Sequence, residues 1–271
     1  MDRPNLARVA RLSIAALLVL GGCSPAPSAT VPLVFVSGPP PATPPPSAAA
    51  PSPTTELPSP SPAAGVIDPA NFVAAIDNPW FPLRPGTTYT YEGTEDGEKL
   101  LETFEVTSET KVVDGVTCVV IHDNLKVAGV LEERTIDWYA QDRDGNVWYF
   151  GEDTAELDEN GNVTSTAGTW TAGVDGALPG IFMPADPVVG YVGEQEIYPG
   201  TAEDRFVVIL TNGNVKVKLG SYTNALVTVE WTILEPGVLS EKAYVAGIGQ
   251  VKEFDVAGGT EFLQLTKVVT P

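Results

Sequence analysis

Cys118 and His122 stand out first, because a thiol and an imidazole are the parts of a nucleophilic dyad. They lie in Val116-Thr117-Cys118-Val119-Val120-Ile121-His122, a run that reads as a buried strand. Four residues along a strand span about 13 Å. A nucleophile and its base must approach to about 3 Å, so the two are not local partners. Cys118 reads as a small buried apolar side chain, and His122 as a residue at the strand's rim. His122 is the single histidine of the chain, so any Ser-His-Asp triad would have to use it.

Carboxylates are the next candidates. The stretch from Glu132 to Glu159 holds ten of them against Arg134 and Arg143. Within it, Asp142, Asp144 and Asn146 place three oxygen donors on one turn, the kind of ligand Ca²⁺ takes. An EF-hand loop wants glycine at the sixth position from its first Asp. Here that position is Val147, and Gly145 comes fourth. A hairpin bend made by Asp144-Gly145 accounts for the same residues. A carboxylate pair for glycoside hydrolysis is a further option, but with this many acids close pairs arise by chance. Aromatic residues gather nearby. Trp138, Tyr139, Trp148, Phe150 and Trp170 are candidate linings for an apolar or sugar ligand, with core packing as the alternative. The Pro/Gly-containing segment from Ala177 to Gly190 reads as a loop able to cover such a mouth.

The balance of charge narrows the partners. The 271 residues carry a formal charge of −20 with the histidine neutral. Residues 67–271 hold 33 acidic and 12 basic side chains. Nucleic acid is therefore not an expected partner, since phosphate binding needs a basic surface. Two cysteines and one histidine exclude a disulfide framework and a zinc finger. No Gly-rich phosphate loop follows a strand and opens a helix, so a nucleotide cofactor is not indicated.

Positioning these residues falls to strands. Val227, Val229, Trp231 and Ile233 alternate with Thr228, Glu230 and Thr232. The same period of two runs through Val215–Leu219, Thr103–Thr107 and Thr88–Tyr91, as half-buried strands require. Asp-Gly at 96–97, 114–115, 144–145 and 175–176, and Asn-Gly at 160–161 and 212–213, supply hairpin turn chemistry. No strand–helix–strand alternation is present. The expectation is an all-β fold of about ten to thirteen antiparallel strands in meander order, curved into a half-barrel or barrel. One short N-terminal helix is expected after the cap at Asp68, with Pro69 in its first turn and Asn78-Pro79 at its end.

Ahead of that domain the composition changes. Arg3, Arg8 and Arg11 precede an apolar run from Leu12 to Leu20, too short to span a bilayer. The run ends in Leu20-Gly21-Gly22-Cys23, which closely resembles the lipobox of bacterial lipoproteins. The resemblance implies that residues 1–22 are a signal peptide and that Cys23 is lipidated and becomes the mature N-terminus. The partner is then a cell or outer membrane, with the domain outside the cytoplasm. Acyl chains contribute about 0.8 kcal/mol per buried methylene, enough together for stable anchoring. Residues 24–66 hold 14 prolines and a single charge, Glu56, so segment 23–66 reads as an extended stalk. Residues 67–271 form the single β-rich domain. Its segments Asn78–Gly86 and Tyr244–Glu253 resemble those of uncharacterised exported bacterial β-rich lipoproteins. That resemblance implies a cavity for a hydrophobic ligand. The anchor, the stalk, the alternating strands and the missing catalytic kit give the expectation of a non-enzymatic domain that binds an apolar or amphipathic ligand or acts as an envelope scaffold. Carboxylate-dependent hydrolysis and a Ca²⁺-stabilised adhesion module are the alternatives.

Overall fold

The computed structural model describes residues 67–271; Cys23, the signal segment and the stalk lie outside the described residues. Asp68 caps a single 3₁₀ turn, Pro69–Asn71, accepting from the Ala70 amide at 3.0 Å. The expected helix goes no further. Phe72 and Val73 instead form strand β1 (Phe72–Val73), paired with Asp142 and Gln141. Tertiary contact decides this, because the Phe72 ring meets Trp148 and Phe150 edge-on at 6.2 and 5.4 Å.

The first half of the domain is a meander. Strands β2 (Thr88–Glu95), β3 (Glu98–Val113), β4 (Val116–Val127), β5 (Val130–Asp142) and β6 (Val147–Leu157) pair in sequence order. The short β7 (Val163–Ser165) and β8 (Trp170–Thr171) pair back on β6, as does β9 (Leu178–Met183). After β10 (Val192–Glu194) and β11 (Glu196–Ile197) come β12 (Asp204–Val217) and β13 (Gly220–Thr232). The chain finishes with β14 (Leu239–Val245), β15 (Gly249–Ala257) and β16 (Phe262–Val269), and β16 pairs with β2. Every pairing is antiparallel.

The sheet is a nearly closed barrel. Its hydrogen-bonded order runs β10-β12-β13-β14-β15-β16-β2-β3-β4-β5-β6-β9-β11. The two ends of that path, β10 and β11, are separated in sequence only by Gln195. One short segment therefore pairs with β12 through Val192–Glu194 and with β9 through Glu196 and Ile197. Gly180 makes this approach possible, since a Cβ there would collide with the carbonyl oxygens of Glu194 and Gln195. Bulges between Asp137 and Tyr139, and between Val208 and Leu210, bend the strands around the ring.

Asp96-Gly97 and Asp114-Gly115 adopt the paired positive φ of type I′ hairpins, 50° and 83°, then 47° and 80°. Ala128-Gly129 does the same between β4 and β5, a turn without an Asn or Asp signal. Asn212-Gly213 is not a turn. It lies inside β12, where Gly213 faces Ala225 between two irregularities of register. The segment expected as a covering loop contains β9, whose Gly180 and Ile181 pair with Tyr149 and Trp148.

Candidate functional site

The barrel wall bounds a partly open cavity that offers about 90 Å³ to the centres of water molecules, room for several waters. One part of its wall is aromatic. Tyr139 and Tyr149 stack with centroids 4.6 Å apart, Phe182 crosses Tyr139 at 5.1 Å, and Phe81 lies 4.5 Å from Phe182. Phe104 packs edge-on against Phe81 at 6.1 Å. Each such pair contributes about 0.5–1.5 kcal/mol beyond area burial.

Phe81 is held in place by the segment ahead of β2. The Gln141 side-chain oxygen accepts from the amides of Asp77 and Asn78 at 2.9 and 2.8 Å. The buried Asn78 amide donates to the carbonyls of Gly145 and Pro184, and its oxygen accepts from the Trp80 amide. The Gly247 amide donates to Pro79 at 2.7 Å. The segments 78–86 and 244–253 thus meet, and both reach the cavity, through Phe81 and Leu83 and through Ile248 and Gln250.

The rest of the wall is acidic. Strand β5 turns Glu133, Thr135, Asp137 and Tyr139 inward at period two, and Glu152 of β6 and Glu196 of β11 face the same space. Tyr149 Oη donates to Asp137 Oδ1 at 2.6 Å and also approaches Glu152 Oε2 at 3.3 Å. Trp170 Nε1 donates to Glu196 Oε1 at 3.3 Å. Glu152 is fully buried and Glu196 only 3% exposed. Yet Glu152 Oε1 and Glu196 Oε2 have no hydrogen-bond partner, nor have Asp123 Oδ1 and Gln195 Nε2 beside them on the wall.

Another part of the same wall carries its own cation. Lys242 Nζ lies 3.1 Å from Glu230 Oε2 and 3.4 Å from Glu253 Oε1. Tyr244 Oη and Thr228 Oγ1 donate to Glu230 Oε1 at 3.2 and 3.0 Å. Burial works against the charge on Lys242, but Glu230 and Glu253 outweigh it and hold the ammonium well above its ordinary range.

Burial pushes the Asp137 carboxyl up to about 7, against the hydrogen bond from Tyr149. Burial first, and then the neighbouring charges of Glu196 and Asp137, hold Glu152 well above the carboxylate range. Glu196 is raised by burial and by Asp204. Asp123 is raised by burial and by Glu102. An unpaired carboxylate in such an interior costs several kcal/mol. A donor to a charged group returns about 1.5–3 kcal/mol. Burial thus biases these carboxyls toward the protonated form, a bias that an arriving cation would oppose.

The expected lining residues divide. Tyr139 faces the cavity, and Trp170 stands behind it against Tyr149 at 5.5 Å. Trp138 is buried elsewhere, under the Lys111 ammonium, whose Nζ lies 3.0 Å from the ring centroid. Trp148 and Phe150 pack on Phe72. The Asp142 carboxylate is already occupied. Its oxygens accept from the Asn146 amide and side chain and from Trp148 Nε1, all at 2.9 Å. Asp144 is exposed, and no three metal-ligating side chains converge among the described residues. Cys118 is fully buried, and burial pushes its thiol up to about 12. His122 sits in mid-strand opposite Ile136.

No protein-family model and no curated protein matches the chain. Two solved structures resemble it in shape. A "putative exported protein with YmcC-like fold" from Bacteroides fragilis is 14% identical, with a TM-score of 0.38 over 70% of this chain and 99% of that one. A "putative lipoprotein" from Parabacteroides distasonis is 7% identical, with a TM-score of 0.37 over 70% of this chain and 98% of that one. The functional reading therefore rests on this chain's own residues.

Proposed function

We propose that this chain is a lipid-anchored protein of the cell envelope whose β domain holds a small amphipathic ligand inside its barrel, without transforming it. The cavity carries the reading. It sets an aromatic wall against the buried carboxyls of Glu152 and Glu196, each with one oxygen that has no hydrogen-bond partner. Such a site costs stability, and perturbed carboxyls retained in a cleft mark functional positions. The cationic, apolar and Leu20-Gly21-Gly22-Cys23 segments support the anchor. The test is native mass spectrometry and organic extraction of the full chain purified from its own host. A stoichiometric small molecule is the expected result. Protein that stays ligand-free under both methods removes the reading. Labelled palmitate entering the wild type but not Cys23→Ala tests the anchor.

Carboxylate-dependent hydrolysis is the second reading. It draws on Asp137 and Glu152 meeting at one phenol oxygen, with Asp137 near neutrality as a general acid would be. Hydrolysis of glycoside substrates by wild type and not by Asp137→Asn would favour it over simple binding.

A further inference from the structure

We infer that the ligand is an organic cation, an amine bearing an apolar body, whose ammonium sits between Glu152 and Glu196. The inference rests on the binding reading above and names the chemistry of its ligand.

Two observations carry it. The first is the pair of unpartnered oxygens, Glu152 Oε1 and Glu196 Oε2, both on side chains more than nine-tenths buried and facing the cavity. A buried acceptor left empty costs about 1–3 kcal/mol, more if charged. An ammonium fills such acceptors with charge-assisted hydrogen bonds. The second is the uneven supply of positive charge. The acids Glu230 and Glu253 have Lys242 within ion-pair distance. The hydrogen-bond donors to Asp137, Glu152 and Glu196 are the neutral side chains of Tyr149 and Trp170, and Lys242 acts on Glu196 only through space. The interior thus has a protein cation on one part of its wall and space for a ligand cation on another.

Size and surroundings separate an organic cation from a metal ion. No three ligating side chains converge closely enough among the described residues to hold a metal. Ca²⁺ takes six to eight oxygens at about 2.3–2.6 Å. An ammonium on a hydrocarbon body asks less of the carboxylates and more of their surroundings. Tyr139, Tyr149 and Phe182 supply those surroundings, as faces for the apolar part and for cation–π attraction. When the ammonium enters, the carboxyl proton it displaces leaves to water.

Three probes of equal length decide the matter: hexylammonium, hexanol and hexanoate, titrated into the full-length chain at neutral pH. All five tryptophans, Trp80, Trp138, Trp148, Trp170 and Trp231, lie within residues 67–271, so their fluorescence reports the β domain alone. The expected result is hexylammonium binding at least about tenfold more tightly than either other probe. Glu152→Gln combined with Glu196→Gln should abolish that preference, bringing hexylammonium affinity down to that of hexanol. The amide isosteres keep shape and remove a buried acid, so they should fold at least as well as wild type. Equal binding of all three probes overturns the cation and leaves an amphipathic site. Preference for hexanoate overturns it as well and points to Lys242. Failure of every probe overturns the inference, and the extraction experiment then decides the binding reading separately.

Discussion

Asp137→Asn should make the domain more stable, and only above acidic pH. In the native state burial lifts this carboxyl from 3.8 to about 7. Between those values the folded protein holds a proton that the unfolded chain has released. The unfolding free energy therefore falls as pH rises through this window. Stability from this group is complete below pH 3.8 and lost above about pH 7. At about 1.4 kcal/mol per pH unit, the loss at pH 8 is about 4 kcal/mol. Asparagine has no proton to take up, keeps the shape, and still accepts from Tyr149 through Oδ1. The variant should match wild type near pH 4 and exceed it by as much as about 4 kcal/mol at pH 8. For a domain of this size that corresponds to about 8–16 °C in Tm. Urea titration followed by tryptophan fluorescence, repeated across pH, measures both. Identical stabilities at all pH values, or wild-type stability that climbs from pH 5 to 8, would refute the reasoning. Tyr149→Phe removes the hydrogen bond that opposes the rise, so its stability should decline over a window extending to higher pH.

Lys242→Met should cost about 3–5 kcal/mol at neutral pH, because it leaves Glu230 and Glu253 buried around an absent counter-ion; Glu230→Gln in the same chain should recover part of that in a denaturant titration. The Cys118 thiol should resist a disulfide reagent in native protein and react at once in urea, since burial both hides it and pushes it up to about 12; fast labelling of the native β domain would place that side chain wrongly. Millimolar Ca²⁺ and chelator should leave Tm unchanged, given that both Asp142 oxygens already accept hydrogen bonds from Asn146 and Trp148; a rise of several degrees would revive the cation site at that turn.

The barrel was readable because its local chemistry is strong. Asp96-Gly97 and Asp114-Gly115 state their hairpins directly, and strands such as Thr88–Tyr91 show a clean period of two. Other features depended on distant contacts. The helix expected after Asp68 yields to a strand because Phe72 finds Trp148 and Phe150. Asn212-Gly213 matches the hairpin signal, yet its glycine serves the close packing of β12 on β13. The site was harder to read because alternation fixes two faces without saying which is inside. In β13 Thr228 and Glu230 are fully buried, while Val229 and Trp231 keep some exposure. Alternation alone makes apolar residues the default inward set, which favours the aromatic candidates over the acids. Glu133-x-Thr135-x-Asp137-x-Tyr139 carried the usable signal: polar residues at strand period, ending in an aromatic.

The short segment that holds both β12 and β9 gives the ring a clasp. Two residues, Glu196 and Ile197, meet β9, and three, Val192 to Glu194, meet β12, seams as short as the three-residue pairings of β6 with β9 and of β15 with β16. With each backbone bond contributing about 0.5–1.5 kcal/mol, undoing the buckle costs far less than parting any long seam. Glu196, which lines the cavity, rides on that catch, so the closure of the ring and the wall of the site share one residue.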